Sequence, residues 1–193
     1  MIKSNPFLGP QWVPLAKVLK STLEGSTPRR PFEFQTYGRR YSYMPTDSPY
    51  FQGYFDNIAQ EFIVEASSNV QVIPKLTEEQ YQELEFYGWK RPTQTEDEFH
   101  EQGYQEDATE ASPNFLRVFD GTPDYDEIVE VILTAMVGVY KIDEDDFFNF
   151  GETGGIADRI AAMRLLGRVK GGSGNPNRVI FAMPGRNLQA IEA

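Results

Sequence analysis

Apolar residues at Trp12, Leu15, Val18, Leu19 and Leu23 recur at three- and four-residue steps, the period of one helix face, and predict a helix over residues 12–24. Pro14 is tolerated there because it falls in the first turn, and Gly25 supplies a stop. From residue 32 the period shortens to two. Phe32 and Phe34 alternate with Glu33 and Gln35 in a first strand over 32–43, with Gly38 as a bulge or kink before Tyr41 and Tyr43. Residues 50–55 form a second run, thinned on one face by Gly53. Residues 61–67 form a third, with Phe62, Val64 and Ala66 on one face. Short polar segments separate the three runs, which therefore predict an antiparallel meander.

The stretch KLTEEQYQELEFYGWKRP, residues 75–92, carries its own boundary signals. Thr77 and Gln80 have the spacing of a capping box, and Leu76 and Tyr81 that of the hydrophobic staple beside it. Gly88 suits the left-handed position just past the last turn. That makes Leu84 and Trp89 the apolar pair that meets in a Schellman motif, and Pro92 prevents continuation. Trp89 is accordingly read as a structural pin for the helix end. Residues 92–114 are polar and acidic, with no Lys or Arg after Arg91, and read as a flexible loop. Residues 115–119 suit a short strand or a lead into a helix. The strongest helical pattern covers 124–140, with Ile128, Val131, Ile132, Ala135 and Val139 in register and Asp124, Asp126 and Glu127 at its start. Beyond Phe150 the chain turns basic, with a helical stripe over 156–166, a Gly-rich loop GGSGNPN and a last strand over 178–183. The predicted architecture is α+β: an antiparallel sheet packed against helices in residues 1–150, including an acidic loop at 93–113. A basic C-terminal α-β extension occupies 151–193 and is not an independent domain.

These elements resemble a known family. The run Pro49-Tyr50-Phe51-Gln52, the strand end Val64-Glu65-Ala66-Ser67-Ser68-Asn69, the helix and Gly88-Trp89 turn of residues 76–92, the pair Asn114-Phe115 and the acid-capped helix from Asp124 are the relevant segments. They follow the order of the actinobacterial type III secretion chaperone-like domain, often called TY-Chap, and of related YbjN-like proteins. The resemblance covers roughly residues 10–145. It implies a curved antiparallel sheet with helices packed on it, and a chaperone-like role drawn from similarity of shape, in a family mostly of unknown function. The long acidic insertion before Asn114 and the tail after Phe150 depart from the pattern.

Composition narrows the chemistry. With 18 Lys and Arg against 29 Asp and Glu, the net charge is −11. Nucleic acid and anionic membrane need clustered cations and are disfavoured as main partners. There is no Cys, which excludes disulfides, Cys-ligated zinc and thiol catalysis. No apolar run suits a signal peptide or a membrane span, so the expectation is a cytoplasmic protein.

Few residues suggest chemistry. His100, the only His, lies among Glu98 and Glu101, where a solvated side chain competes with a metal or general-base reading. Counted from Asp143, the DEDD run lacks the Gly and Glu that a calcium loop requires at its sixth and twelfth positions, where Phe148 and Gly154 stand. GETGG and GRVKGGSGN match no phosphate-loop pattern. Arg29, Arg30, Arg39 and Arg40 flank the first strand and either bind a small anion or pair with the chain's own acids. Tyr37, Tyr41, Tyr43, Tyr50 and Tyr54 either stabilise the sheet as cross-strand pairs or line a second face suited to recognition. The tail is expected to dock on its own domain or to contribute to a homodimer.

The sequence therefore predicts no catalytic residues, no cofactor and no metal. It predicts a chaperone-like or adaptor protein that binds another protein, one with a basic segment, and neither nucleic acid nor membrane. The alternative is a binding module for a small anionic ligand using the four arginines.

Overall fold

A computed structural model describes residues 8–37, 48–70, 72–102, 112–143, 147–150 and 179–182, the last two as backbone strands. Its elements are a 3₁₀ turn Pro10–Trp12, α1 Val13–Glu24, β1 Phe32–Tyr37, β2 Tyr50–Asp56, β3 Glu61–Ala66 and α2 Glu78–Phe86. They continue with α3 Glu96–Gln102, β4 Phe115–Asp120, α4 Tyr125–Thr134, a π-helical turn Ala135–Val139, β5 Phe147–Phe150 and β6 Val179–Ala182. The fold is α+β. The strands form one sheet in the order β4-β3-β2-β1-β5-β6, and every neighbouring pair is antiparallel. The meander predicted for the first three strands is its centre.

Alternation gives this sheet a core face. Phe34, Phe51, Ala66 and Phe115 stand opposite one another in a single row across β1, β2, β3 and β4, and all four are fully buried. Every described ring contact between a helical segment and the sheet falls on this face: Tyr81 to Phe115 (4.7 Å), Tyr125 to Phe62 (5.9 Å), Tyr140 to Phe51 (5.6 Å) and Trp89 to Phe51 (6.1 Å). Gly53 also lies here. A Cβ on it would come within 2.0 Å of the Ile63 carbonyl oxygen, so the close approach of β3 depends on a residue without a side chain. Helix α1 buries Leu15, Val18, Leu19 and Leu23, the stripe read from the sequence, and is tied to α4 by Lys20 Nζ and Asp126 Oδ2 at 2.7 Å.

The boundaries of α2 are formed as its sequence predicts. Gln80 N–H donates to Thr77 Oγ1 at 3.3 Å, and Thr77 N–H donates back to Gln80 Oε1 at 3.0 Å. At the other end Gly88 has φ +83°, its N–H reaches the Glu85 carbonyl at 2.8 Å and the Trp89 N–H reaches the Leu84 carbonyl at 3.0 Å. Those two bonds are the Schellman pair. Leu84 and Trp89 are both buried, Trp89 at 2% exposure. Past the turn, Lys90 exchanges two backbone hydrogen bonds with Leu116 and covers part of the outer edge of β4.

Three expectations need correction. The stretch read as a flexible acidic loop, 92–114, contains helix α3, and His100 stands on that helix. Its start repeats the device of α2: Glu98 N–H donates to Thr95 Oγ1, and Thr95 N–H donates to Glu98 Oε2. Three acids in its first turn favour the helix dipole instead of opposing order. Second, the helix expected to run to Tyr140 becomes a π-helical turn at Ala135. This wider turn coincides with two tertiary bonds, Tyr140 Oη to the Ser67 carbonyl and Gln80 Nε2 to the Val139 carbonyl at 2.6 Å. Third, β5 has no counterpart among the predicted elements, because a four-residue FFNF run behind DEDD carries too little pattern. The first strand is described from Phe32 to Tyr37, and the rest of its expected span, with the Gly38 kink, lies outside the described residues. Of residues 151–193 only β6 is described; the helix expected over 156–166 and both Gly-rich segments lie outside the described residues.

Two outcomes follow for stability. Trp89→Ala is expected to lose about 3–5 kcal/mol in a urea melt, the cost of emptying a buried aromatic site. Gln80→Glu keeps the usual capping-box acceptor yet sets a carboxylate against the Val139 carbonyl. It should lose about 1–3 kcal/mol at pH 7. That repulsion raises the folded-state pKa of the new acid, so the deficit is complete above that raised pKa, shrinks as pH falls through it and is gone below the unfolded value of about 4.3. Melts at pH 7 and pH 3.5, each paired with wild type, measure it.

Candidate binding face

The second face of the sheet carries the residues of opposite parity. Across β2, β3 and β4 they form three successive rows: Asp56, Glu61 and Asp120; Tyr54, Ile63 and Val118; and Gln52, Glu65 and Leu116. Neighbours within a row are about 4.8 Å apart across the strands, and rows lie about 6.8 Å apart along them. Tyr54, Ile63, Val118 and Leu116 are half-exposed.

At one end of this face is a polar cluster. Glu65, 8% exposed, accepts on Oε2 from Gln52 Nε2 at 2.8 Å and from Asn114 Nδ2 at 3.0 Å. Asn114, fully buried, also donates from Nδ2 to the Tyr50 hydroxyl at 2.8 Å, and its Oδ1 is buried with no hydrogen-bond partner. The backbone around the cluster is held by serines. Tyr50 N–H donates to Ser67 Oγ, Ser67 N–H to the Tyr50 carbonyl, and Asn114 N–H to Ser112 Oγ. Two short segments, Ser67-Ser68-Asn69 and Ser112-Pro113-Asn114, thus lock one end of the sheet, with Ser68 Oγ donating to the Pro113 carbonyl. A carboxylate satisfied by two amides is costly to strip and geometrically fixed.

At the other end are three carboxylates. Asp56 stands opposite Glu61, and Glu61 opposite Asp120. Like charges directly opposed across strands are unfavourable. No ion pair is formed by any of the three among the described residues. Asp56 also accepts from the Ile58 and Ala59 N–H groups, which fixes the β2–β3 turn. Burial first, then the charges of Asp56 and Glu65, push the Tyr54 hydroxyl above its ordinary pKa.

Tyr50 and Tyr54, two of the five tyrosines singled out in the sequence, therefore lie on the second face. Tyr37 ends β1 opposite Phe147, and Tyr41 and Tyr43 lie outside the described residues. The arginines are not brought together in what is described: Arg29 and Arg30 are exposed in the turn before β1, where Arg30 pairs by backbone with Thr27, and Arg39 and Arg40 lie outside. Sequence reasoning missed Gln52, Ile63, Glu65, Asn114, Leu116 and Val118. A signal was present, since EFIVEA and FLRVFD carry apolar residues at both parities, as a strand does when both of its faces have work. Among the described residues no group of acids and His is arranged to hold a metal ion, and no helix is long and apolar enough to cross a membrane.

No protein-family model, curated protein or solved structure matches the chain.

The Tyr54 shift has a defined sign. The neutral phenol is favoured in the folded state, so its contribution is present below pH 10 and is lost as pH rises through the higher folded pKa. Phenolate absorbance of wild type minus that of Tyr54→Phe should show ionisation above the ordinary tyrosine range, and Asp56→Asn should move it down.

Proposed function

We propose that this protein is a non-enzymatic, chaperone-like or adaptor protein that binds another protein through the outer face of its sheet. The observation that carries the reading is the half-exposed apolar row Tyr54, Ile63 and Val118 on the side of the sheet away from the buried Phe34–Phe51–Ala66–Phe115 row. Tyrosine beside aliphatic side chains, with polar groups at the rim, is the composition of a recognition surface. The polar cluster around Glu65 gives that surface a fixed shape, which limits the ordering cost of binding. The resemblance to type III secretion chaperone-like and YbjN-like domains supports the same role, and the acidic body favours a partner with a basic segment.

The test is capture from the native host with the full chain immobilised, wild type beside Ile63→Arg and Val118→Arg, each first checked by a thermal melt. A protein retained by wild type and released by both folded variants is the expected result. Identical retention by all three, or nothing above background, overturns the reading.

A further inference from the structure

We infer that the partner element seated on the outer face is a basic amphipathic helix lying across β2, β3 and β4. Its apolar stripe rests on Tyr54, Ile63 and Val118, and its Lys or Arg residues stand over Asp56, Glu61 and Asp120. The inference rests on the protein-binding role proposed above and specifies what is bound.

Three observations lead to it. The first is direction. The apolar residues run across the strands, with neighbours about 4.8 Å apart, whereas like-facing residues along a strand are about 6.8 Å apart. Side chains on one helix face, three and four residues apart, lie about 5–6 Å from one another and match the row. Side chains on one face of an extended segment are spaced like those of a strand and match it poorly.

The second is the backbone. β2 and β3 have sheet neighbours on both sides, so their main-chain groups are occupied by the ladders. An extended segment laid on the apolar row would find no main-chain partner there and would bury its own N–H and C=O groups unpaired. A helix satisfies its backbone internally and brings only side chains to the face.

The third is charge. The carboxylate row Asp56–Glu61–Asp120 lies beside the apolar row on the same face and makes no ion pair among the described residues. It opposes like charges in successive cross-strand pairs. That arrangement costs the free sheet stability and is relieved when cations arrive. The acidic body of a second copy, residues 1–150 with 12 Lys and Arg against 26 Asp and Glu, would bring the wrong sign.

The probe is a fluorescein-labelled synthetic peptide of about 15 residues, long enough to hold a helix across three strands. It is built from alanine and a leucine stripe, with lysines along one flank. Controls are a peptide of similar composition with two central prolines and one with glutamate for every lysine. Anisotropy with the full chain should show saturable binding of the lysine peptide, weakened by salt and accompanied by a gain of helical ellipticity. Asp56→Asn, Glu61→Gln and Asp120→Asn combined should weaken it roughly tenfold, the sum of a few exposed ion pairs. The triple variant removes the like-charge opposition, and the amide that replaces the Asp56 carboxylate keeps an oxygen for the turn, so it should melt no lower than wild type. Weaker binding then cannot be ascribed to unfolding.

Equal binding of the proline or glutamate peptide overturns the inference, as does unchanged affinity in the triple variant, pairing of two copies through this face, or no saturable binding. If a host protein is released by Ile63→Arg but held equally by the triple variant, the protein-binding role stands and the basic helix falls.

Discussion

Phe51 is the residue on which both layers depend. It lies near the start of β2, beside Phe34 of β1, and the rings of Trp89 and Tyr140 close on it from two different helical segments. Trp89 is brought there by the left-handed turn at Gly88, and Tyr140 by the wider π-helical turn that precedes it. Two local backbone irregularities are thus held by one buried aromatic cluster, where close packing leaves little room for alternatives. The same cluster holds these two helical segments against the core face of the sheet.

The sequence was informative where local chemistry and tertiary packing agree. The capping box at Thr77, the stop at Gly88 and the burial of Trp89 follow from side-chain types a few residues apart, and each is present as read. The stripes of α1 and α4 and the three-stranded meander are equally local. What escaped has two causes, a misleading composition and long-range contacts. Helix α3 was hidden because a high density of acids reads as disorder unless the Thr95–Glu98 box is recognised. The π-helical turn answers a contact between residues 80 and 139, and no window around Ala135 contains that information. The polar cluster joins residues 50, 52, 65 and 114, which only the strand register brings together. On the outer face, Tyr50 and Tyr54 belong to the five-tyrosine set, while the aliphatic half of the row was concealed by strands apolar at both parities.

The two faces of the sheet are built on different terms. The core face is packed with aromatic rings and uses Gly53 to bring strands together. The outer face has a buried, satisfied carboxylate at one end, an unfavourable one-signed row at the other and half-exposed apolar groups between. A sheet shaped only for its own stability would separate those charges, since interspersed signs cost less. Retaining them is understandable where a surface must discriminate among partners, because a one-signed row repels acidic segments as firmly as it attracts basic ones.

Gln80 joins residues far apart in the chain. Its oxygen closes the start of α2 three residues away, while its amide nitrogen donates to the carbonyl of a residue fifty-nine positions later. During synthesis the first bond can form as soon as α2 emerges, but the second must wait until the whole of β4 and α4 has followed. The helix is therefore complete in outline long before it is complete in bonding, and its final fixing belongs to the late, long-range stage of folding. A signal that reads as punctuation for one helix also serves as the latch that records the arrival of another.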